Sequence, residues 1–334
     1  MMNDPVIPSL EHLRRAYAVT SEATQVTPLL ESSALAKLTG AARVFVKPES
    51  LQWAGSFKIR GAYWRLKQLS SAEAAHGVVA YSSGNFAQGL AAAGEALGIP
   101  VTIVMPIDAP AAKREATAGY GARVVLTDHG ERAREEVAAA RARQIAAEEG
   151  LTLLHPFDDP EIVAGQAGAG LEALEQLAAK DVAADFLFCP VGGGGLIAGV
   201  SLAFHYLSPE TRVIAVEPEG FNGMGNSLVR GAIEAVPLGS KSICDGLMAR
   251  APGKAPFAAM TVAGARGLSV DDASVRQAMK FAFEKLKLVL EPSGAASLAG
   301  LMSGGVDTAG RTVLVIASGG NVALADFERH VADA

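Results

Sequence analysis

The run DFLFCPVGGGGLIAGV, residues 185–200, decides the fold class. Its first half is a short, almost uninterrupted apolar stretch of the kind that forms a strand buried on both faces, and its second half has the spacing of a helix. Between them stand Gly192, Gly193, Gly194 and Gly195. Backbone without side chains can wrap an anion, and the helix start then turns its free N–H groups and the positive end of its dipole toward it. The run lacks the Gly-Lys-Ser/Thr ending of a nucleotide P-loop and the GxGxxG spacing of a dinucleotide fold, so a monophosphate suits it better than a triphosphate. A tight turn with close helix packing is the plainer account, but one glycine would serve that purpose.

The same alternation extends along the chain. ARVFVKPE, GVVAYSS, VTIVMP, ARVVLTD, RVIAVEP and TVLVIASGG read as strands, and 85–98, 109–121, 131–150, 195–207 and 274–287 as helices. Continuous apolar strands alternating with helices predict an α/β protein with parallel sheets covered on both faces. With 334 residues, the chain is long enough for two lobes.

Composition narrows the class of partner. Half of the residues are hydrophobic and 19% are charged, the net charge is -6, and no basic run stands out. Nucleic acid and anionic membrane are poor partners for such a chain, and a small molecule is a better one. The start, MMNDPVIPSLEHLRRAYAVT, has neither the charged opening nor the apolar core of a signal peptide, and no segment has the apolar length of a membrane span. Cytoplasmic location is expected, with Cys189 and Cys244 as reduced thiols without metal-ligand spacing.

In open parallel sheets, ligands sit beyond the carboxyl ends of the strands. Two further junctions stand out there. In AYSSGNFAQG, Ser82, Ser83, Gly84 and Asn85 end a strand and cap a helix, and the donors they leave free can hold a carboxylate. In VLVIASGGNVAL, Ser318 ends the last strand, where a buried hydroxyl needs a partner such as a heteroatom of a bound ring. A lysine in an apolar setting completes the set. Lys58, in ESLQWAGSFKIRGAYWRL (residues 49–66), lies beside Phe57 and Ile59, where desolvation would lower its pKa and free the neutral amine that imine formation requires. A phosphate cradle, an isolated lysine, a carboxylate loop and a strand-end hydroxyl together describe a pocket for pyridoxal 5'-phosphate.

With these residues in hand, the sequence resembles the serine/threonine dehydratase and serine racemase family, fold type II pyridoxal phosphate enzymes with a two-lobed, tryptophan synthase β-like fold. ESLQWAGSFKIRGA, SSGNFAQG, HPFDDPEIVAGQ, VGGGGLIAG, AVEPEG, CDGL, LEPSGAAS and ASGGNV carry the resemblance nearly end to end. It implies a large cofactor-binding domain, 1–76 with 152–334, and a small substrate-loop domain, 77–151. Carried over residue by residue, it makes Lys58 the Schiff-base lysine, Gly192 to Gly195 with Leu196 the phosphate loop, and Ser318 the ligand of the pyridine nitrogen. Asn85 contacts the phenolic oxygen, Phe57 lines the cofactor, and Ser82, Ser83, Gly84, Asn85 and Phe86 form the substrate loop. Ser83 matches the serine that racemases use as acid/base on the face opposite the lysine. The activity so implied is α,β-elimination from a 3-hydroxy amino acid, L-threonine or L-serine, to a 2-oxo acid and ammonia. The alternatives are a racemase, a dehydratase of a bulkier β-hydroxy amino acid, and a sensor that binds the cofactor without catalysis. A homodimer or homotetramer is expected.

Two departures from the family pattern bear on the substrate. Phe86 stands where a histidine is usual and Ala54 where a threonine is usual; if both line the pocket, the substrate is bulkier or less polar than serine, although Phe86 could equally pack the helix start. No metal is expected, because Glu217 is present but Gly223 stands where the family's second carboxylate would be, with Glu219 as the only compensation near by. His155 reads as a loop contact, Asp158 and Asp159 as turn formers, and Glu291 as either a neighbour of the cofactor ring or a helix cap.

Overall fold

The computed structural model describes residues 6–130, 132 and 134–334, and it contains two sheets. The larger has the order β1-β2-β10-β7-β8-β9, built from β1 (Leu30–Glu31), β2 (Arg43–Pro48), β10 (Thr312–Ala317), β7 (Phe186–Pro190), β8 (Arg212–Pro218) and β9 (Arg266–Val270). Only β1 runs antiparallel to its neighbour. The smaller sheet is wholly parallel, in the order β5-β4-β3-β6: β5 (Arg123–Thr127), β4 (Val101–Pro106), β3 (Val78–Tyr81) and β6 (Thr152–Leu154).

Period-two alternation puts the central strands into two cores at once. Along β10, Val313, Val315 and Ala317 enter one apolar cluster while Leu314 and Ile316 enter the cluster on the other face. In β7, Phe186 and Phe188 join the first cluster and Leu187 and Cys189 the second. Such strands have no polar side to show, which explains why the sequence reads as unbroken apolar runs. The smaller sheet does the same, with Val78 and Ala80 on one face and Val79 on the other.

Between the sheets lies the helix Lys58–Lys67, held by close approaches that only glycine permits. On one side, a methyl group placed on Gly165 would stand 2.7 Å from the Cα of Gly61 and 2.8 Å from the carbonyl oxygen of Arg60. On the other, a methyl on Gly89 would meet the backbone of Lys58 and Ile59 at 3.0 Å and 2.9 Å. The helix is thereby wedged between Pro160–Ala178 and Asn85–Leu97.

A buried ion cluster fixes its position along that wedge. The Arg60 guanidinium donates to both carboxylate oxygens of Glu49, at 2.7 and 2.9 Å, and to both of Glu172, at 2.7 and 2.9 Å. Lys47 Nζ adds a bond to Glu172 at 2.8 Å and one to the carbonyl of Thr27 at 2.7 Å. Lys47, Glu49 and Arg60 are 0% exposed and Glu172 1%. Burial opposes the charge of Arg60, but the two carboxylates outweigh it and hold its pKa above the ordinary value.

Helix ends differ from the sequence expectation where chain chemistry intervenes. The helix expected to 287 runs as Asp272–Phe281 and ends in a wider turn, Ala282–Leu286, closed by Lys287 at φ 59°. The helix expected over 131–150 is described as Arg134–Glu149; residues 131 and 133 lie outside the described residues, as do residues 1–5 of the N-terminal stretch. Among the described residues no helix is long and apolar enough to cross a membrane. Cys189 and Cys244 are both buried and unbridged.

Replacing Arg60 by Met removes one member of a buried charge cluster and leaves two carboxylates with Lys47 alone, so a loss of about 3–5 kcal/mol is expected. Urea unfolding of Arg60→Met against wild type, at one pH and one cofactor concentration, measures it.

Candidate functional site

Because β10 inserts between β2 and β7, the carboxyl ends of these three strands meet side by side. A cavity of about 260 Å³ opens there toward the end of β3 in the smaller sheet. Four of the stretches that wall it hold the residues picked out from the sequence: Phe57 and Lys58; Ser82 to Phe86; Gly192 to Leu196; and Ser318. All the residues picked out for the site thus share one cavity.

Lys58 opens its helix, half-buried, with Nζ donating to the carbonyl oxygen of Pro156 at 3.1 Å. The rings of Phe57 and Phe86 lie 5.1 and 5.6 Å from the amine. Aromatic faces favour an ammonium slightly, but loss of water disfavours it more. Burial lowers the Lys58 pKa from 10.5 to about 8.

The glycine loop has no room for side chains. Methyls on Gly192 would meet the carbonyl oxygen of Gly246 at 2.9 Å, and on Gly195 would meet Phe157 Cβ at 3.1 Å, while Gly193 lies against the Phe157 ring. Gly194 adopts φ 98°, a conformation natural to glycine alone, and caps the helix Gly195–Leu207 with no side chain satisfying the first N–H groups. A side-chain-free loop at a helix N-terminus has the form that can hold an anion. The backbone N–H of Phe57 donates to the carbonyl oxygen of Ser318 at 3.2 Å, which ties the lysine stretch to the strand-end serine.

Asn85 is oriented by a chain of amides. Asn321 Nδ2 donates to Asn85 Oδ1 at 2.8 Å and to the carbonyl oxygen of Ala54 at 2.8 Å, leaving Asn85 Nδ2 to donate to Glu291. Glu291 occupies the cap position of the helix Pro292–Met302 without capping it, and its carboxylate faces the cavity. Burial pushes its pKa up to about 7, with Lys113 pulling it down, Asp245 pushing it further up and the Asn85 bond pulling it down. The role of Asn321 was not legible in SGGN; its partners lie 236 and 267 residues away.

Phe86 does both things expected of it, lining the cavity and packing in the core at 1% exposure. Ala54 stands apart from the wall. It sits in a tight turn at φ 59°, offering Asn321 its carbonyl. Glu217 accepts from the backbone N–H groups of Met224 and Gly225 at 2.7 and 2.8 Å, at the start of the helix Gly223–Arg230. Burial still raises its pKa to about 7. Among the described residues, no three His, Cys, Asp or Glu side chains gather as metal ligands. Asp158 and Asp159 point to different partners: Asp158 accepts from the N–H of Ala255 at 2.9 Å, while Asp159 caps the next helix and pairs with Arg65 at 2.8 Å. Sequence reasoning passed over Tyr81, which lines the cavity from the end of β3.

Comparison with known proteins follows the same lines. The family model described as "Pyridoxal-phosphate dependent enzyme" matches residues 20–319. The chain is 38% identical to the L-threonine ammonia-lyase of Thermotoga maritima, over 97% of this chain and 78% of that one. It is 40% identical to an L-threo-3-hydroxyaspartate ammonia-lyase of Pseudomonas sp., over 91% of each. Maize serine racemase superposes with a TM-score of 0.90 at 32% identity, covering 97% of each chain.

Lys58 in the protein stripped of small molecules is expected to react with an amine acylating reagent along a pH curve whose midpoint is about 8. Mass spectrometry of the peptide follows the rate, and a midpoint near the ordinary 10.5 would show that burial does not act on it.

Proposed function

Because the chain belongs to the family of pyridoxal-phosphate dependent enzymes, we propose that it is an ammonia-lyase acting on a 3-hydroxy amino acid, L-threonine or L-serine. The products are a 2-oxo acid and ammonia, since the water lost from Cβ is regained at Cα. One observation carries the reading: an amine whose pKa burial lowers to about 8 shares a cavity with the glycine loop Gly192 to Gly195 and the helix-start loop Ser82 to Asn85.

The residues fit the cofactor. Methyls would fill the cradle at Gly192 and Gly195, the helix behind it offers unsatisfied N–H groups to a phosphate, and Ser318 offers a neutral hydroxyl to the ring nitrogen. A hydroxyl there does not enforce protonation of that nitrogen, which favours prompt elimination. When bound, the cofactor supplies the electron sink that makes the substrate Cα–H acidic. The rest falls to the chain. Lys58 would anchor the cofactor, and its amine would be placed to take the Cα proton of the substrate. Ser82 to Asn85 offer donors at a helix start to the substrate carboxylate. Asn85, aligned by Asn321, would donate to the cofactor's phenolic oxygen, and the Phe57 and Phe86 rings beside the amine would keep water from it.

Racemisation is a second activity of the same site, favoured by the placement of Ser83 on the cavity wall and the likeness to a serine racemase. It requires return of the proton on the face opposite Lys58. We assign the cofactor to a large lobe, 1–76 with 152–334, and the substrate loop to a small lobe, 77–151; the two separate sheets support this, with β6 just past the second boundary. The protein is read as a cytoplasmic homodimer or homotetramer, in keeping with its two unbridged thiols.

A panel of L- and D-3-hydroxy amino acids, assayed for 2-oxo acid and for enantiomer, tests the assignment. L-Threonine or L-serine should yield 2-oxo acid, Lys58→Ala should abolish turnover along with the yellow colour of the loaded protein, and Ser83→Ala should lose racemisation while eliminating. Cofactor bound with no substrate turned over would sink the reading.

A further inference from the structure

Two lysines line the cavity, Lys58 and Lys113, and the scheme above uses only the first. Lys113 stands in the first turn of the helix Ala111–Gly119, which follows β4 of the smaller sheet. At that end of a helix the dipole disfavours a cation, so the helix itself does not account for the residue. What holds it is Asp245, whose carboxylate accepts a hydrogen bond from Lys113 Nζ. The neighbours of Asp245 are pinned in turn: the N–H of Gly246 donates to Ser293 Oγ at 2.9 Å, and Gly246 and Leu247 lie against Gly192 of the glycine loop. The Lys113 amine is thus held on the cavity wall by a carboxylate fixed next to that loop.

An ammonium has three hydrogens, and among the described residues Asp245 is the one hydrogen-bond partner of this one. Burial works against its charge, with the side chain only 14% exposed, but Asp245, Glu291 and Asp326 outweigh burial and hold its pKa above the ordinary 10.5. Lys58 has burial without such carboxylates, and its pKa falls to about 8. Two amines of one cavity are therefore driven apart, Lys58 toward the neutral base and Lys113 toward the charged acid. An elimination needs both, a base for the Cα proton and an acid for the oxygen that leaves Cβ. Arg250 also lines the cavity, but its Nε and Nη2 both donate to the carbonyl oxygen of Val236, each at 3.2 Å. With Asp245 and Glu291 offsetting the charge of Lys113, a neutral oxygen suits its remaining hydrogens better than a second carboxylate does.

We propose that Lys113 is the catalytic acid of the elimination, its ammonium donating to the substrate's β-oxygen and protonating it as the Cβ–O bond breaks, with Asp245 as the positioning residue. The inference rests on the ammonia-lyase reading. Lys58 Nζ takes the Cα proton, and the C–H electron pair becomes the second bond between Cα and Cβ. The Cβ–O pair leaves with oxygen, which takes a proton from Lys113 Nζ and departs as water. Water, with a pKa of about 15.7, is a far weaker acid than a lysine ammonium, so this transfer runs downhill even from an amine that holds its proton tightly. Lys113, left neutral, regains a proton from solvent beside Asp245, whose side chain is 46% exposed, as Lys58 gives one up. Hydroxide is a poor leaving group and needs such a proton, whereas chloride leaves without one.

Lys113→Met, compared with wild type on L-serine and on 3-chloro-L-alanine in the same sample, tests the proposal. Serine turnover should fall about 100-fold or more, in the range of a lost general acid, while chloroalanine turnover stays within about 3-fold. The ratio does not depend on how much protein folds, and an ion pair that merely joined the two sheets would affect both substrates alike. Asp245→Asn should shift the ratio in the same direction, and Asp245→Glu should restore part of it. Calorimetric titration of the loaded protein gives a reading without turnover: wild type should bind 3-hydroxypropionate more tightly than propionate, and Lys113→Met should lose that preference. Equal losses on the two substrates, an unchanged serine rate, or a preference that survives in Lys113→Met would overturn the proposal. A wild type that turns over neither substrate would overturn the ammonia-lyase reading itself, and this proposal with it.

Discussion

Arg60 meets two carboxylates, each with both of its oxygens, in a space closed to water, and the placement of Lys58 follows from that arrangement. The cluster joins β2, the turn after it, the Lys58 helix and the helix Pro160–Ala178, so elements far apart in sequence share one fixed point. Buried ion pairs add little net stability compared with apolar packing, because desolvation consumes most of the attraction. Their gain is directional. Bidentate guanidinium geometry allows one orientation of the helix, and the glycine contacts at Gly61, Gly89 and Gly165 hold that helix close to its neighbours. A lysine on its first turn then has its amine in the cavity at the strand ends, where it donates to the Pro156 carbonyl.

The same exclusion of water sets the proton chemistry around the cavity. It lowers the pKa of Lys58 to about 8 and raises that of Glu291 to about 7, each toward its neutral form. A neutral amine attacks a carbonyl, and a carboxyl beside Asn85 that is partly protonated near neutral pH adds less negative charge to a ring-binding pocket. Glu291 also carries a sign for stability: with its folded pKa above its ordinary 4.5, its contribution is complete below that value and declines as pH rises through about 7.

Much of this was legible in the chain. Four adjacent glycines after an apolar run have few purposes, and Gly192 to Gly195 read as an anion cradle because packing alone would need fewer. Lys58 was conspicuous for the apolar residues beside it. What could not be read were the partners that folding supplies from a distance. Arg60 looks like an ordinary helical charge until Glu49 and Glu172 close on it, 11 and 112 residues away. The amide chain from Asn321 through Asn85 to Glu291 depends on which oxygen or nitrogen faces which, and residue order does not carry that. Ala54 was weighed as a lost hydroxyl in the pocket, yet its backbone turns it away at φ 59°. Tyr81 went unnoticed because a tyrosine ending a strand is commonplace; its place on the cavity wall and its contact with His155, 74 residues on, appear only in the fold.

The central claim is that one buried amine, Lys58, joins the cofactor. Borohydride reduction of the loaded protein fixes the cofactor to whichever lysine holds it, and peptide mass spectrometry then reads the position. The pyridoxyl group should appear on the peptide bearing Lys58 and on no other. Its appearance on another lysine, or on none in a protein that has bound the cofactor, would contradict the account.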